Sequence, residues 1–168
     1  MQLAQLCKTG AGGTPLKSVK EFYEGGDIPW LLSGEVNNKN ITTTKKFITQ
    51  KGLDGSSAKM FPKDTVVIAM YGATAGEVGI LRCAASTNQA VCGIYPSEKV
   101  LAEYLYYFFL DNKSALVAQA VGNAQPNISQ EKIKNTNIEL PPIPEQQRIV
   151  AILDQAFADI EKARANAE

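Results

Sequence analysis

The spacing of apolar residues changes at Ser97, and this change limits the possible fold more than any other feature. Before Ser97, short apolar runs alternate with glycine-rich and polar segments, and the run 64–72 (DTVVIAMYG) is dense in β-branched residues typical of a buried strand. After Ser97, apolar residues recur at helical spacing as far as Gly122. The sequence therefore predicts an α+β fold, in which a strand-rich globular body is joined by a few packed helices.

Individual elements follow from the same patterns. Further short strands are predicted at 77–82, 90–96 and 136–140, and a short strand or an extended segment is predicted at 28–32. In the helical part, Ser97 is the expected N-cap and Gly122 the expected stop, while Asp111 and Asn112 are expected to divide the segment into two helices. Ser129 is expected to cap a short helical turn.

A final helix is predicted from Glu145, after three prolines in 141–144 have interrupted the chain. Its apolar residues recur at spacings of 4, 3, 4 and 3, the seam of a coiled coil. The seam residues are Ile149, Leu153, Ala156, Ile160 and Ala163. This pattern favours packing against a partner helix, and the alternative is an amphipathic helix folded onto its own domain.

Composition excludes several classes of function. The chain has 168 residues, 45% of them apolar, which suits a single core, and it contains no histidine to act as a base or a metal ligand. Cys7, Cys83 and Cys92 show no CxxC spacing, so we expect reduced thiols, two of them in the core, in a cytoplasmic protein. We expect no membrane segment, because no stretch approaches the roughly 20 apolar residues that a span requires, and no signal peptide.

Two glycine-rich segments resemble phosphate-binding loops but do not meet the requirements. In MYGATAGEVGIL (70–81), Glu77 stands where a Walker A loop needs its second glycine, and a strand follows where a dinucleotide-binding loop needs a helix. GAGGTP (10–15) fails as well, since Pro15 follows the glycines and no strong strand precedes them. What remains at 72–76 is a tight loop whose amides and Thr74 hydroxyl suit one phosphate, or a glycine-rich turn with no ligand.

The net charge is zero, but the charge is unevenly distributed. Residues 39–63 carry six lysines and a single acid, Asp54. Such a run is either a solvated face or a surface for an anionic partner.

Several sequence blocks, taken in order, resemble the specificity (S) subunit of Type I restriction–modification enzymes. The blocks are GGTP (12–15), GDIPWLLSGEV (26–36), KMFPKDTVVIAMYGATAGEVGIL (59–81), STNQAVCGIYP (86–96), EYLYYFF (103–109), GNAQPNIS (122–129) and IELPPIPEQQRIVAILD (138–154). The resemblance implies one target recognition domain at 1–142, followed at 143–168 by the start of a coiled-coil-type spacer helix. The chain would then be a fragment, a half-length subunit that dimerises or one domain of a split gene.

The resemblance also implies a function. The chain would be non-catalytic and would recognise one half of a bipartite sequence in double-stranded DNA. It would position methyltransferase (M) subunits, which bind S-adenosylmethionine, and a restriction (R) subunit would complete the complex. The alternative is a helix-mediated protein-interaction module, a half-length or truncated specificity subunit with weak DNA binding or none. Its partner would include a second copy, as a homodimer through the C-terminal helix.

Candidate DNA-binding residues combine cations for phosphates with amides and hydroxyls for base edges; Asn and Gln are natural partners of adenine. The predicted set is Thr14, Lys17, Trp30, Ser33, Asn37, Lys39, Lys45, Lys46, Lys51, Thr74, Asn88, Gln89, Gln125 and Asn127. Each amide has the alternative of bonding its own loop, and Trp30 that of a core residue. The aromatic cluster at 104–109 is expected in the core.

Overall fold

The computed structural model describes residues 1–120 and 126–168. The strands within these ranges are β1 (Thr9–Ala11), β2 (Ile28–Leu31), β3 (Asn40–Ile41), β4 (Lys46–Ile48), β5 (Val66–Ala69), β6 (Val78–Leu81), β7 (Ser86–Thr87) and β8 (Val91–Ile94). The α-helices are α1 (Gln50–Asp54), α2 (Ala102–Asp111), α3 (Lys113–Ala118), α4 (Gln130–Lys134) and α5 (Ile143–Ala167). The α+β prediction is confirmed, as are the four strands expected around 28–32, 64–72, 77–82 and 90–96.

The main sheet has five strands in the order β1-β8-β5-β6-β3. The central strand β5 pairs antiparallel with β6 and β8, and β3 runs parallel to β6. All four residues of β5 are buried, which explains its continuous apolar sequence. Val66 and Ile68 face the helices, whereas Val67 and Ala69 face the core on the opposite side of the sheet.

A smaller sheet has the order β4-β2-β7. Its central strand β2 pairs antiparallel with β4 and parallel with β7, so that Trp30 lies opposite Lys46 on one side and Ser86 on the other. The short connection from β7 to β8 links the two sheets. Loops from both sheets therefore meet at this connection.

The helical segment is divided where the sequence predicted, with α2 ending at Asp111 and α3 beginning at Lys113. The prediction of Ser97 as N-cap is wrong, because α2 begins at Ala102 and the Ser97 hydroxyl instead accepts a hydrogen bond from the Lys99 N–H at 3.2 Å. Ser129 does cap α4, where its hydroxyl accepts from the Lys132 N–H. Gly122 lies outside the described residues.

The strand predicted at 136–140 does not form. Only an isolated antiparallel bridge joins Asn137 to Gln2, although Ile138 is buried as a strand residue would be. The N-terminal segment offers this stretch a few backbone partners but not a continuous strand. Extended, half-buried chain is difficult to distinguish from a strand by sequence pattern alone.

Helix α5 begins at Ile143, two residues before the predicted start, with Pro144 in its first turn, where a missing N–H costs nothing. Its first half packs on α2, and from Ala156 onward all its residues are exposed. The division of the chain at 142/143 stays a prediction. No helix in the described residues is long and apolar enough to cross a bilayer.

Candidate nucleic-acid interface

A pair of glycines carries the chain from β1 into a narrow space between two other loops. The backbone N–H of Gly13 donates a 3.0 Å hydrogen bond to the carbonyl of Thr87. A Cβ added to Gly12 would lie 2.1 Å from Oγ1 of Thr87, and one added to Gly13 would lie 2.3 Å from Oγ of Ser57. Only glycine permits this approach, which places Thr14 beside the turn that precedes β8.

The turn between β7 and β8 presents Asn88 and Gln89 at one end of the main sheet. The backbone N–H of Asn88 donates to the carbonyl of Leu31 at 3.0 Å, and Oδ1 of Asn88 accepts from the N–H of Ala90 at 3.2 Å. Oε1 of Gln89 accepts a hydrogen bond from the Thr14 hydroxyl. Because the turn is tied to the small sheet and to the glycine loop, both amide side chains are held in place.

Trp30 forms the floor of the space beside this turn, and only 4% of its surface is exposed. Its Nε1–H donates to the carbonyl of Gly13 at 3.1 Å, and its ring meets the Tyr23 ring edge-on with centroids 5.9 Å apart. Since protein groups occupy both the ring and the N–H, the structure places Trp30 in the core and not against a sugar–phosphate chain. Sequence patterns did not single out Tyr23.

These segments enclose an open cleft of about 510 Å³, which we call the amide–lysine cleft. It is lined by Thr14, Lys17, Tyr23, Trp30, Leu32, Lys46, Asn88 and Gln89. Six of these eight belong to the predicted DNA-binding set, and none of the eight is acidic. Two ammonium groups and two side-chain amides make the cleft rich in hydrogen-bond donors and positive in charge, which suits an anionic, acceptor-rich partner.

A second groove of about 310 Å³ lies next to the cleft along the chain. It is lined by Gly34, Glu35, Asn37, Asn38, Ile41, Thr42, Thr43, Thr44 and Lys45. The Glu35 carboxylate accepts hydrogen bonds from the backbone N–H of Leu32 at 3.1 Å and of Lys45 at 2.9 Å, which joins the two walls. Ser33 is half-buried in the turn at their junction, whereas Asn37 and Lys45 are exposed.

Thr74 and Asn127 belong to loops at the same end of the main sheet as the cleft. The backbone N–H of Met70, just after β5, donates to the carbonyl of Ala90 at 2.8 Å, and the N–H of Ile128 donates to the carbonyl of Met70 at 2.7 Å. The loops around residues 72–74, 88–90 and 126–128 are therefore neighbours. The structure brings together residues that lie up to 113 positions apart in sequence, from Thr14 to Asn127.

Two predicted lysines lie elsewhere, and each contacts a carboxylate. The Lys39 ammonium is bound by Asp154 of α5 and donates to the Tyr107 hydroxyl at 3.1 Å. Lys51 lies 3.3 Å from Oε2 of Glu21 on the exposed side of α1. The structure therefore places neither lysine in the cleft, and for Lys39 the reason is that α5 packs beside it.

The lysine-rich segment lies on the surface. Five of its six lysines are exposed: Lys45, Lys46, Lys51, Lys59 and Lys63. Lys39, the sixth, is half-buried. Gln125, the remaining predicted amide, lies outside the described residues.

The cysteines are placed as expected. Cys7 and Cys92 are buried and Cys83 is partly exposed, all three as free thiols, which confirms that two lie in the core. Burial raises the pKa of the Cys92 thiol to about 12. Across residues 1–120 and 126–168, no group of three or more His, Cys, Asp or Glu side chains is placed to hold a metal ion.

The C-terminal helix presents a second surface, and its seam is used in two ways. Ile149 and Leu153 are half-buried beside α2, where they line an apolar groove of about 550 Å³. Phe157, which sequence reasoning did not select, stacks on Tyr107 with ring centroids 5.6 Å apart. The other seam residues, Ala156, Ile160 and Ala163, are exposed, as is Ile152. The first half of α5 thus packs on its own domain, whereas the second half extends away.

The chain is thus a compact α+β domain with a donor-rich cleft at one end of its main sheet and a helix that extends from its body. The chain belongs to the family of Type I restriction modification DNA specificity domains, whose model matches residues 1–168.

Curated relatives are specificity subunits of Type I restriction enzymes. The chain is 30% identical over 158 residues to the EcoR124I/EcoR124II specificity subunit of Escherichia coli, covering 91% of this chain and 39% of that protein. It is 30% identical over 157 residues to the MjaIX specificity subunit of Methanocaldococcus jannaschii, covering 90% of this chain and 36% of the relative. The chain thus spans about two fifths of the length of these relatives.

Solved structures share the fold. The HsdS subunit from Thermoanaerobacter tengcongensis matches with a TM-score of 0.74 at 21% identity, over 100% of this chain and 39% of that one. A second match comes from a solved structure on complex assembly and conformational transition of the type I R-M system. It has a TM-score of 0.76 at 22% identity and covers 99% of this chain and 40% of that one. The predicted fold and family are confirmed.

Proposed function

We propose that this chain recognises a short DNA sequence through the amide–lysine cleft and is itself non-catalytic. The observation that carries the proposal is the convergence of two lysines and two held amides on a cleft that no acidic side chain lines. DNA offers that combination a matching surface, since phosphates attract the ammonium groups and base edges pair with amides. Family membership supports the same function.

Different residues in and around the cleft would contact the phosphates and the bases of the duplex. Lys17, Lys45 and Lys46 would neutralise phosphates and orient the duplex, and the loop at Thr74 would add a phosphate contact. Asn88 and Gln89, held at the centre, would face the bases. Asn37 and Asn127 flank this centre and would contact the duplex beyond it.

Methyl transfer would belong to partner subunits, and S-adenosylmethionine would bind there. We propose that α5 docks methyltransferase subunits, with a restriction subunit joining the complex, because the helix exposes a stripe formed by Ile152, Ile160 and the small residues Ala156 and Ala163. The same stripe also suits a second copy of this chain, as a homodimer with the two helices paired. A DNA partner implies a cytoplasmic location.

Binding to a mixed pool of labelled duplexes, measured by fluorescence anisotropy over a range of salt concentrations, tests the proposal. The double variant Lys17→Glu/Lys46→Glu is expected to lose about tenfold or more in affinity for every sequence, with a shallower salt dependence, because fewer counterions are released. The matched control is Lys63→Glu/Lys99→Glu, which makes the same charge change before β5 and after β8, away from the cleft. Equal losses for both variants would contradict a specific role for the cleft.

A further inference from the structure

The cleft amides have one feature that residue type alone does not specify, namely which atom of each amide faces outward. Oδ1 of Asn88 accepts from the backbone N–H of Ala90 at 3.2 Å. A backbone N–H can only donate, so the atom turned toward it must be the oxygen and not the nitrogen. The Nδ2 group of Asn88 therefore points away from the turn, and no described residue accepts a hydrogen bond from it.

Gln89 makes a different contact, with a hydroxyl that can either donate or accept, and in the structure its oxygen is the atom turned toward that hydroxyl. Its Oε1 accepts a hydrogen bond from the Thr14 hydroxyl, and its Nε2 has no acceptor among the described residues. Thr14 is held because Gly12 and Gly13 pass through a gap too narrow for any side chain. The glycine loop thus sets the direction in which the exposed Gln89 amide points.

Both amides consequently present hydrogen-bond donors to the cleft, next to the ammonium groups of Lys17 and Lys46. An amide that pairs with adenine uses its oxygen to accept from N6 and its nitrogen to donate to N7. Here each oxygen is turned toward an internal donor, so the nitrogen, and not the oxygen and nitrogen side by side, is what each amide presents outward. The major-groove edge of guanine instead offers two acceptors, O6 and N7, and no donor, which matches a pair of outward NH₂ groups.

We propose that Asn88 and Gln89 select guanine through O6 and N7 in the major groove, with Thr14 as the residue that positions Gln89. The proposal rests on the proposed function, because it assumes that duplex DNA occupies the amide–lysine cleft. It replaces the expectation from residue type alone that these amides pair with adenine.

Isosteric acids test the donor role without disturbing the turn. Asn88→Asp retains an oxygen for the Ala90 N–H, and Gln89→Glu retains one for the Thr14 hydroxyl, but each loses its outward NH₂ group. Duplexes are selected from a random pool by the full chain, alone and assembled with methyltransferase subunits. Wild type is expected to select guanine at one or two positions, and each variant to lose that preference by about 5- to 100-fold while other positions are unchanged.

In both acid variants the preference for cytosine should increase at the affected position, since the N4 amino group of cytosine donates to a carboxylate. The control is Gln147→Glu, which makes the same charge change at an exposed position on α5, and which should leave every base preference as in wild type. Measuring the base preference at each position distinguishes a loss of guanine recognition from a general loss of affinity, which repulsion between an added carboxylate and DNA would cause at every sequence.

Nucleobase analogues test the groove and the atoms. Replacing the affected guanine with 7-deazaguanine removes N7 and is expected to weaken binding about 5-fold or more. Inosine keeps O6 and N7 and lacks only the minor-groove amino group, so it should bind as guanine does. A loss with inosine and none with 7-deazaguanine would overturn the proposal.

The positioning role of Thr14 has its own test. Thr14→Val removes the hydroxyl that holds Oε1, so the Gln89 amide is free to rotate, and the preference for guanine over adenine should narrow. Thr14→Ser keeps a hydroxyl at this position and should retain the preference for guanine that the wild type shows. Equal guanine preference in both variants would remove Thr14 from this role.

The outcomes distinguish a failure of the guanine proposal from a failure of DNA recognition itself. If wild type selects a sequence and no position changes in Asn88→Asp or Gln89→Glu, the guanine proposal is wrong while DNA recognition stands. If wild type selects no sequence, either alone or with methyltransferase subunits, both are wrong.

Discussion

The backbone N–H of Leu101 donates a 2.9 Å hydrogen bond to Oε1 of Gln146, which joins the residue before α2 to the first turn of α5. The Nε2 group of Gln146 donates to the carbonyls of Lys99 at 3.1 Å and Pro141 at 2.9 Å. The side chain is fully buried with both amide atoms satisfied. This one residue therefore fixes where α5 leaves the domain.

Gln146→Leu is expected to destabilise the fold by about 1–3 kcal/mol, because it leaves one buried N–H and two carbonyls without partners. The free energy of unfolding, measured in urea, checks this. Gln147→Leu is the matched control, since Gln147 is exposed one position along the helix and should change stability by less than about 0.5 kcal/mol. Similar losses at the two positions would show that the buried network is not what stabilises the helix start.

The pair formed by Lys39 and Asp154 should make docking of α5 depend on pH. Partial burial acts to raise the pKa of Asp154, but hydrogen bonds from Lys39 and Tyr107 outweigh it and lower the pKa below the ordinary range. A carboxyl group whose pKa is lower in the folded protein than in the unfolded chain stabilises the fold at pH values above its ordinary pKa. This stabilisation is lost as the pH falls through the lowered pKa. Burial acts to lower the pKa of Lys39, but the hydrogen bonds that its ammonium donates to Asp154 and Tyr107 outweigh burial and raise the pKa, so its contribution is lost only above the ordinary lysine range.

Asp154→Asn should therefore be less stable than wild type near neutral pH, and the difference should vanish in acid. Because both side chains are partly exposed, solvent screening limits the difference to about 1 kcal/mol or less. Urea unfolding at a series of pH values checks the prediction. A difference independent of pH would show that the ion pair does not contribute to docking.

Gly12→Ala should destabilise the fold by about 1–3 kcal/mol and weaken DNA binding together, since its Cβ would lie 2.1 Å from Thr87 Oγ1 and 2.3 Å from the Thr87 carbonyl oxygen. Gly34→Ala is the control, because its Cβ would have no neighbour within 4 Å. Unfolding and duplex binding are measured for both. If Gly12→Ala were neutral in both assays, the glycine loop would not set the geometry of the cleft.

The cysteines should differ widely in reactivity. Burial raises the pKa of Cys92 to about 12, so the folded protein presents almost no thiolate there at pH 8. Cys83 is partly exposed and should be alkylated first, whereas Cys7 and Cys92 should react only as the protein unfolds. Iodoacetamide labelling followed by peptide mass spectrometry measures the order, and rapid labelling of Cys92 in the folded state would contradict its burial.

The exposed stripe and the packed face of α5 should respond differently to an added charge. Ile152→Asp/Ile160→Asp should leave the isolated chain folded, since these side chains are 53% and 47% exposed, but should prevent assembly with methyltransferase subunits. Ile149→Asp/Leu153→Asp should destabilise the chain itself, because these residues pack beside α2. Sedimentation and thermal unfolding separate the effects, and assembly that survives the first variant would exclude the exposed stripe as the docking surface.

Local pattern was enough to predict much of the fold. The β-branched run at Val66–Ala69 forms a strand with all four residues buried, and the Ser129 hydroxyl caps α4 by accepting from an N–H three residues along the chain. Asp111 and Asn112 divide the helices because both are poor helix formers. Such features depend on neighbours within a few residues, so sequence periodicity reveals them.

Features that depend on distant neighbours were not predictable in this way. Ser97 has the residue type of an N-cap, but its local turn ends before α2 begins. Lys39 has the residue type of a phosphate ligand, but α5 brings Asp154 to it from 115 positions away. Phe157 lies off the heptad seam, and its role became visible only beside Tyr107.

The sequence by itself determined the class of fold, the family and the kinds of side chain available to bind DNA, because composition, periodicity and the order of motifs are properties of the chain alone. Only the tertiary structure decided which of those side chains meet and which of their atoms remain free. Hydrogen bonds between remote segments hold the turn at Asn88 against Leu31, connect Gln89 to Thr14, bind Lys39 to α5 and tie Trp30 to Gly13. These contacts form only when the two sheets and the glycine loop close upon one another.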